Sequence, residues 1–285
     1  MNGRAAWKRI RRRSSLCLGL LVLILALAGC VDLAEIGKFA GISQTANQSF
    51  PGLVADMKDS CLRFNSYVPK NETHQDCNKY DKTAPGLLAA QAVLIDYMEA
   101  LGKLSSDKSV NFGKDLSALP GKLAEAGLDA AQAKAATSLA AKLANLAING
   151  YRKHEIRKLV SAENGDIKTL TAALAKLIGN DYDQLLKNES EAMRDHFETL
   201  LHEYGAKEPL AAELVKRAWA ADQKDLDMRR KAAGAYARIM SGIADGHNKL
   251  AEHSASFSAK ELIEDLGPEI EDIANAANDV RKAFQ

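Results

Sequence analysis

Catalytic punctuation is missing from this 285-residue chain. None of its six histidines falls in a His-Glu-x-x-His or Glu-x-x-His arrangement, and there is no Gly-x-Ser-x-Gly elbow, no phosphate-cradling glycine loop and no Ser-x-x-Lys pair in a suitable setting. Those absences remove the local signatures of zinc peptidases, serine hydrolases and phosphate-binding loops. An excess of one charge is missing too. With 38 Lys+Arg against 37 Asp+Glu and no basic stripe carrying interleaved aromatics, nucleic acid is not an expected partner. β-branched runs are few, which leaves no candidate strands. The single strongly apolar stretch, Leu16 to Gly29, is shorter than the roughly 20 residues a membrane-spanning helix needs.

What is present begins with that stretch. Met1 to Ser15 carries Arg4, Lys8, Arg9, Arg11, Arg12 and Arg13 with no acid, and the uncharged Leu16–Gly29 follows, the order of an export signal. It ends in Leu27-Ala28-Gly29-Cys30, which resembles the lipobox of bacterial lipoproteins, where a small residue at the cut site precedes an obligatory cysteine. The resemblance covers the leader alone. It implies that a diacylglycerol is joined to the sulfur of Cys30, that a dedicated peptidase cuts between Gly29 and Cys30, and that Cys30 becomes the first mature residue. Two or three acyl chains, at about 0.8 kcal/mol per buried CH₂, hold a water-soluble body on a bilayer without any spanning helix. The bland alternative is a buried thiol. Arg12-Arg13 ahead of Ser14-Ser15-Leu16 is a partial match to a twin-arginine route. In proteobacteria an aspartate directly after the lipidated cysteine resembles an inner-membrane retention signal. Val31 holds that place here and Asp32 follows, so a periplasm-facing position on the outer membrane is favoured over the inner membrane. Losing the six leader cations leaves 32 Lys+Arg against 37 acids, a formal net of −5 for residues 30–285.

Of four cysteines, Cys17 leaves with the leader and Cys30 is acylated. Cys61 and Cys77 remain, separated by a polar segment that contains Pro69 and Asn71, is followed by Asn78, and has little apolar content with which to order itself. In an oxidising compartment a disulfide is the expected reading, and closing a loop of about 15 residues contributes about 3 kcal/mol in the chain-entropy model. Two separate buried thiols, or a metal site of Cys61, His74 and Cys77, are the alternatives, the latter without an evident fourth ligand.

Residues 84 to 285 are rich in Ala, Leu, Lys and Glu, with apolar residues recurring three and four apart, so the expected fold is all-α, an elongated antiparallel helical bundle with one disulfide-closed loop near the N-terminus. The chain divides into a removed leader (1–29), a tether, first helix and disulfide loop (30–83), and a helical bundle (84–285). The first helix runs from about Leu33 to Phe64, interrupted near Pro51; a second spans Pro85 to Leu104; a short one near Leu116 to Ala126 breaks at Pro120. Asp129 with Gln132 reads as an N-terminal capping box opening a helix that Asn164-Gly165 ends, after which Asp166 caps the next, out to Gly205. Pro209 suits the first turn of a further long helix, and Ser258 with Glu261 caps a last segment divided at Gly267-Pro268.

The remaining polar groups have bland readings. His196 and His202, like His247 and His253, are six apart and therefore on different helix faces, so they read as single surface or boundary histidines. Glu198 with His202 and Glu191 with Asp195 share faces at fourfold spacing but fit a solvated stripe. Gly242 and Gly246 fit a tight helix contact or bend. Arg229-Arg230-Lys231 beside Asp225 and Asp227, and the acids Glu264, Asp265, Glu269, Glu271 and Asp272, fit mixed-charge surfaces, with lipid headgroups and a basic partner as the functional alternatives. No catalytic residue, metal ligand or cofactor is expected. Two classes of function follow: a non-enzymatic scaffold or adaptor held to the membrane through the lipid on Cys30 and binding another envelope protein, or a small-molecule or metal-binding protein or enzyme with a pocket between helices, for which Trp219, the sole tryptophan after the leader, is the natural reporter.

Overall fold

A computed structural model describes residues 33–106, 119–146, 152–255 and 259–284. Gly29, Cys30 and the rest of the expected leader, and Ser258 of the expected last cap, lie outside the described residues. Within them every regular element is helical. α1 (33–46) passes through a 3₁₀ turn at Asn47–Ser49 into α2 (Phe50–Tyr67), so the interruption expected near Pro51 is one tightened turn, with Pro51 in the first turn of α2, where a missing N–H has no consequence. α3 (Lys79–Ser105), α4 (Leu119–Glu125), α5 (Ala130–Ala144), α6 (Arg152–Lys176), α7 (Asp183–Tyr204), α8 (Pro209–Glu252) and α9 (Ala259–Ala283) complete the elongated antiparallel bundle.

Local chemistry explains several boundaries. Asp129 accepts from the Gln132 backbone N–H and the Gln132 side chain accepts from the Asp129 N–H, the reciprocal cap read from sequence. Pro209 occupies the first turn of α8. Four expectations need correction. α3 opens at Lys79, and Pro85, expected to start it, lies inside it. The helix opened by Asp129 stops at Ala144, where the Asn145 amide bonds back to the Ala141 carbonyl, and a separate α6 starts at Arg152. Asn164-Gly165 does not end a helix: α6 runs through both, because Ile156, Leu159, Val160, Ile167, Leu170 and Leu174 form one buried stripe across them while Gly165 faces solvent. Nor does Pro268 divide α9. It lies on the exposed side, Lys249 Nζ donates to the nearby Asp265 carbonyl at 3.0 Å, and Leu262, Leu266, Ile273 and Val280 stay buried through the turn.

α8 is the spine. Its 44 residues span roughly 66 Å, packing on α7 in its first half and on α6 and α9 in its second. α1 and α2 run antiparallel to it: Phe39 meets Gly246, Asn47 and Phe50 meet Tyr236, Asp56 lies beside Arg229, and Tyr67 donates to Asp222. The start of α1 and the end of α8 therefore share one end of the molecule, and the α7–α8 turn forms the other. Gly242 and Gly246 allow these close approaches, since a Cβ at Gly242 would lie 2.8 Å from Ile273 Cγ1 and one at Gly246 2.3 Å from Phe39 Cε2. One apolar core runs from Ile36 to Val280 and joins residues on both sides of position 84. Among the described residues no helix is long and apolar enough to cross a membrane.

Candidate functional site

Cys61 and Cys77 form a disulfide, with Cα atoms 5.7 Å apart, which consumes both thiols of the alternative metal site and leaves His74 exposed. The bridge pins the segment after α2 back onto that helix. Asn65 fixes it further: its amide donates to the Gln75 carbonyl at 2.9 Å and its side-chain oxygen accepts from the Gln75 N–H at 2.8 Å. A short polar loop thereby becomes a wall. Between this wall and α7 opens a cleft of about 530 Å³.

A buried ion cluster fastens the two helices beneath the cleft. Arg63 donates through Nη1 and Nη2 to Asp56, 3.0 Å each, and through Nε and Nη2 to Glu189 at 2.5 and 3.1 Å. Ser60 Oγ donates to Glu189 at 2.7 Å and the Tyr182 hydroxyl to Asp56 at 2.5 Å. Arg229 Nε lies 3.2 Å from Asp56 but makes no hydrogen bond, so it contributes charge without a directed bond. Two acids and two guanidiniums balance, and the carboxylate oxygens are all engaged within the cluster. Burial alone would lower the Arg63 pKa, but the hydrogen bonds and charges of Asp56 and Glu189 outweigh it and raise it. Burial, then the Asp56 carboxylate, raise the Tyr182 phenol. This arrangement clamps α2 to α7 and to α8; it holds no free base.

A π-helical turn, Leu177–Tyr182, between α6 and α7 accompanies the inward placement of Tyr182, and at Gly179 a Cβ would lie 2.8 Å from that of Ala237 on α8. The sequence reading missed this cluster, although one signal was there: Glu189 is the polar member of an otherwise apolar stripe with Leu186, Met193 and Phe197. Arg229 and Arg230 are likewise not the surface patch expected, since the first enters the cluster and the second pairs with Asp183 at 3.1 Å.

The cleft itself is chemically divided. Phe64, Tyr67, Val68, Pro69 and Leu200 supply apolar surface; Glu72, Glu191 and Asp195 supply negative charge, and no Lys or Arg lines it. Tyr67 donates to Asp222 at 3.0 Å, and burial, then that carboxylate, raise its pKa. Its ring sits against His196 and Phe197, and Phe197 stacks on Trp219. Glu191 and Asp195, read as a solvated stripe, thus border a concavity, and Trp219 is two rings from it.

The other polar concentration is internal. His247 is wholly buried, a correction to its reading as a surface histidine: Nε2 lies 2.6 Å from the Tyr97 hydroxyl and Nδ1 3.0 Å from Asn164 Oδ1. Because the Asn164 amide donates to Asn248, Nδ1 carries the proton and Nε2 accepts from Tyr97. Burial, reinforced by Lys168, lowers the His247 pKa to about 3, so the ring is neutral at ordinary pH. Of the acids at the start of α9, Glu269 is paired with Lys249 at 2.8 Å, and Asp265 Oδ2 lies 2.8 Å from His253 Nε2. At the opposite end of the molecule Leu210 and Leu214 are 79% and 61% exposed at the start of α8. Among the described residues no group of three or more His, Cys, Asp or Glu is arranged to hold a metal. No protein family, curated protein or solved structure matches this chain.

Proposed function

We propose that this chain is a lipid-anchored bacterial envelope protein, tethered through Cys30 on the periplasmic side of the outer membrane, that acts as a non-enzymatic interaction or adaptor module through the cleft between α7 and the disulfide loop. The observation that carries the reading is the cleft: an apolar floor under a rim of acids with no Lys or Arg in its lining. Such a surface is suited to holding a partner rather than to moving protons or electrons. The leader and Leu27-Ala28-Gly29-Cys30 support the tether. The described part of α1 begins at residue 33, only three positions after Cys30, so a lipid there holds that end of the bundle within roughly 10 Å of the bilayer. The cleft sits at the level of Asp222 of α8, about 45 Å along the spine from Glu252, facing the envelope space.

Two measurements test it in the native host. Mass spectrometry of the mature N-terminus should find a diacylglyceryl Cys30, and Cys30→Ser should leave unprocessed or mislocalised protein outside the normal membrane fraction. A photo-crosslinking residue at Thr199, which lines the cleft, should give a discrete protein adduct that the same residue at exposed Ser241 does not. A bare Cys30 removes the tether; indistinguishable products from the two positions remove the cleft as the contact surface.

A further inference from the structure

The groove and the spacing of its charges point to a particular class of occupant: we propose that the cleft takes an extended polypeptide segment in which basic residues alternate with apolar ones. This deepens the adaptor reading and rests on it. α7 borders the cleft from Asn188 to Leu200, a length of roughly 18 Å, which matches about five residues of extended chain. Glu191 and Asp195 are one helical turn apart on that wall, about 6 Å along the axis, close to the separation of alternate side chains on an extended strand. Cations at alternate positions therefore reach both acids together, and the side chains between them face the other wall, where Val68 and Pro69 offer apolar surface.

The charges are available for this. Among the described residues neither Glu72 nor Glu191 takes part in an ion pair, and Asp195 meets only its neighbour Arg194, at 3.2 Å on the exposed surface. Bringing a cation to Glu72 or Glu191 breaks no existing pair, and at Asp195 it competes only with the exposed Arg194. The apolar floor sets the second requirement, because a purely basic segment would leave it in contact with water.

The test uses the full chain in detergent and labelled pentapeptides read by fluorescence anisotropy. The Lys-Leu-Lys-Leu-Lys peptide should bind saturably, weaken at least tenfold between 0.1 and 0.5 M salt, and weaken at least tenfold against Glu191→Lys/Asp195→Lys, two exposed positions whose exchange should leave the melting temperature within a few degrees. The Glu-Leu and Lys-Ser counterparts should bind at least tenfold more weakly. No saturation by 1 mM peptide, or affinity unchanged by the charge reversal, overturns the proposal. Equal binding of the Lys-Ser peptide overturns the apolar half of it, and competition by spermidine at equal concentration assigns the site to a small polyamine instead. Crosslinked adducts at Thr199 combined with failed peptide binding would leave the adaptor reading standing and this inference not.

Discussion

His247 is a buried residue whose environment has chosen its charge. Its native pKa is lowered to about 3 by burial, with Lys168 assisting, while in the unfolded chain it titrates near 6.5. Between those values the unfolded chain binds a proton that the native ring refuses. The stabilising contribution is therefore complete above about pH 6.5 and is lost as pH falls towards 3, at up to about 1.4 kcal/mol per pH unit. Tyr97 and Asn164 face the ring directly, and the nearby Glu163, whose pKa is raised by burial against the opposing pull of Lys142, works in the opposite direction, so the wild type alone would blur the effect. His247→Gln isolates it: urea unfolding should show the variant less stable at pH 7.5 by about 1–3 kcal/mol, with the gap closing towards pH 4.5. A gap independent of pH would mean that the ring is not neutral in the fold. The glycines give a second comparison at this scale. Gly246→Ala drives a methyl into Phe39 and should lower stability by about 1–3 kcal/mol, whereas Gly234→Ala, on the same helix with nothing within 4 Å, should raise it by about 0.5–1 kcal/mol. Thermal or urea unfolding of the pair checks both signs.

At the scale of elements, the loop between α2 and α3 shows what a covalent link supplies when apolar content is scarce. The bridge between Cys61 and Cys77, sixteen positions apart, closes it, and Cys61→Ser/Cys77→Ser should cost about 3 kcal/mol on the chain-entropy argument, measured as a fall in unfolding midpoint. The cleft wall should loosen with it, visible as faster amide exchange at Gln75, whose N–H is held by Asn65. Unchanged exchange at Gln75 would show that Asn65 alone fixes the wall. The bridge, the helical class, the Asp129 cap and the start at Pro209 were legible in the sequence because each is set by residues within a few positions or by a pair that chemistry couples. Gly165 and Pro268 misled for the complementary reason. Their local costs, about 1 and 3 kcal/mol in a helix interior, are offset by burial of side chains on both flanks, at roughly 1.5–3 kcal/mol for each large apolar residue. The ion cluster draws on positions 56, 63, 182, 189 and 229, and no local pattern connects such distances; the polar interruptions at Asp56 and Glu189 in apolar stripes marked that something was buried there.

For the whole molecule the antiparallel course of α1–α2 against α8 settles which end meets which environment once a lipid is placed on Cys30. The start of α1 lies near the end of α8, so the bilayer would adjoin Glu252 while Glu213 stands about 58 Å away along the same helix. Exposed Leu210 and Leu214 then sit at the remote tip, out of reach of the tethering membrane, and the formal charge of −5 over residues 30–285 disfavours laying the body flat on an anionic surface. Native lipidated protein carrying a bimane at Glu252→Cys or Glu213→Cys, reconstituted with nitroxide-headgroup lipid, separates the geometries. Quenching should be strong at position 252 and near background at 213. Equal quenching at both would lay the spine along the bilayer, bring the apolar tip into the headgroups, and turn Leu210 and Leu214 into membrane contacts. The cleft would then open beside the lipid instead of into the envelope space, and a soluble basic segment could no longer be its natural occupant.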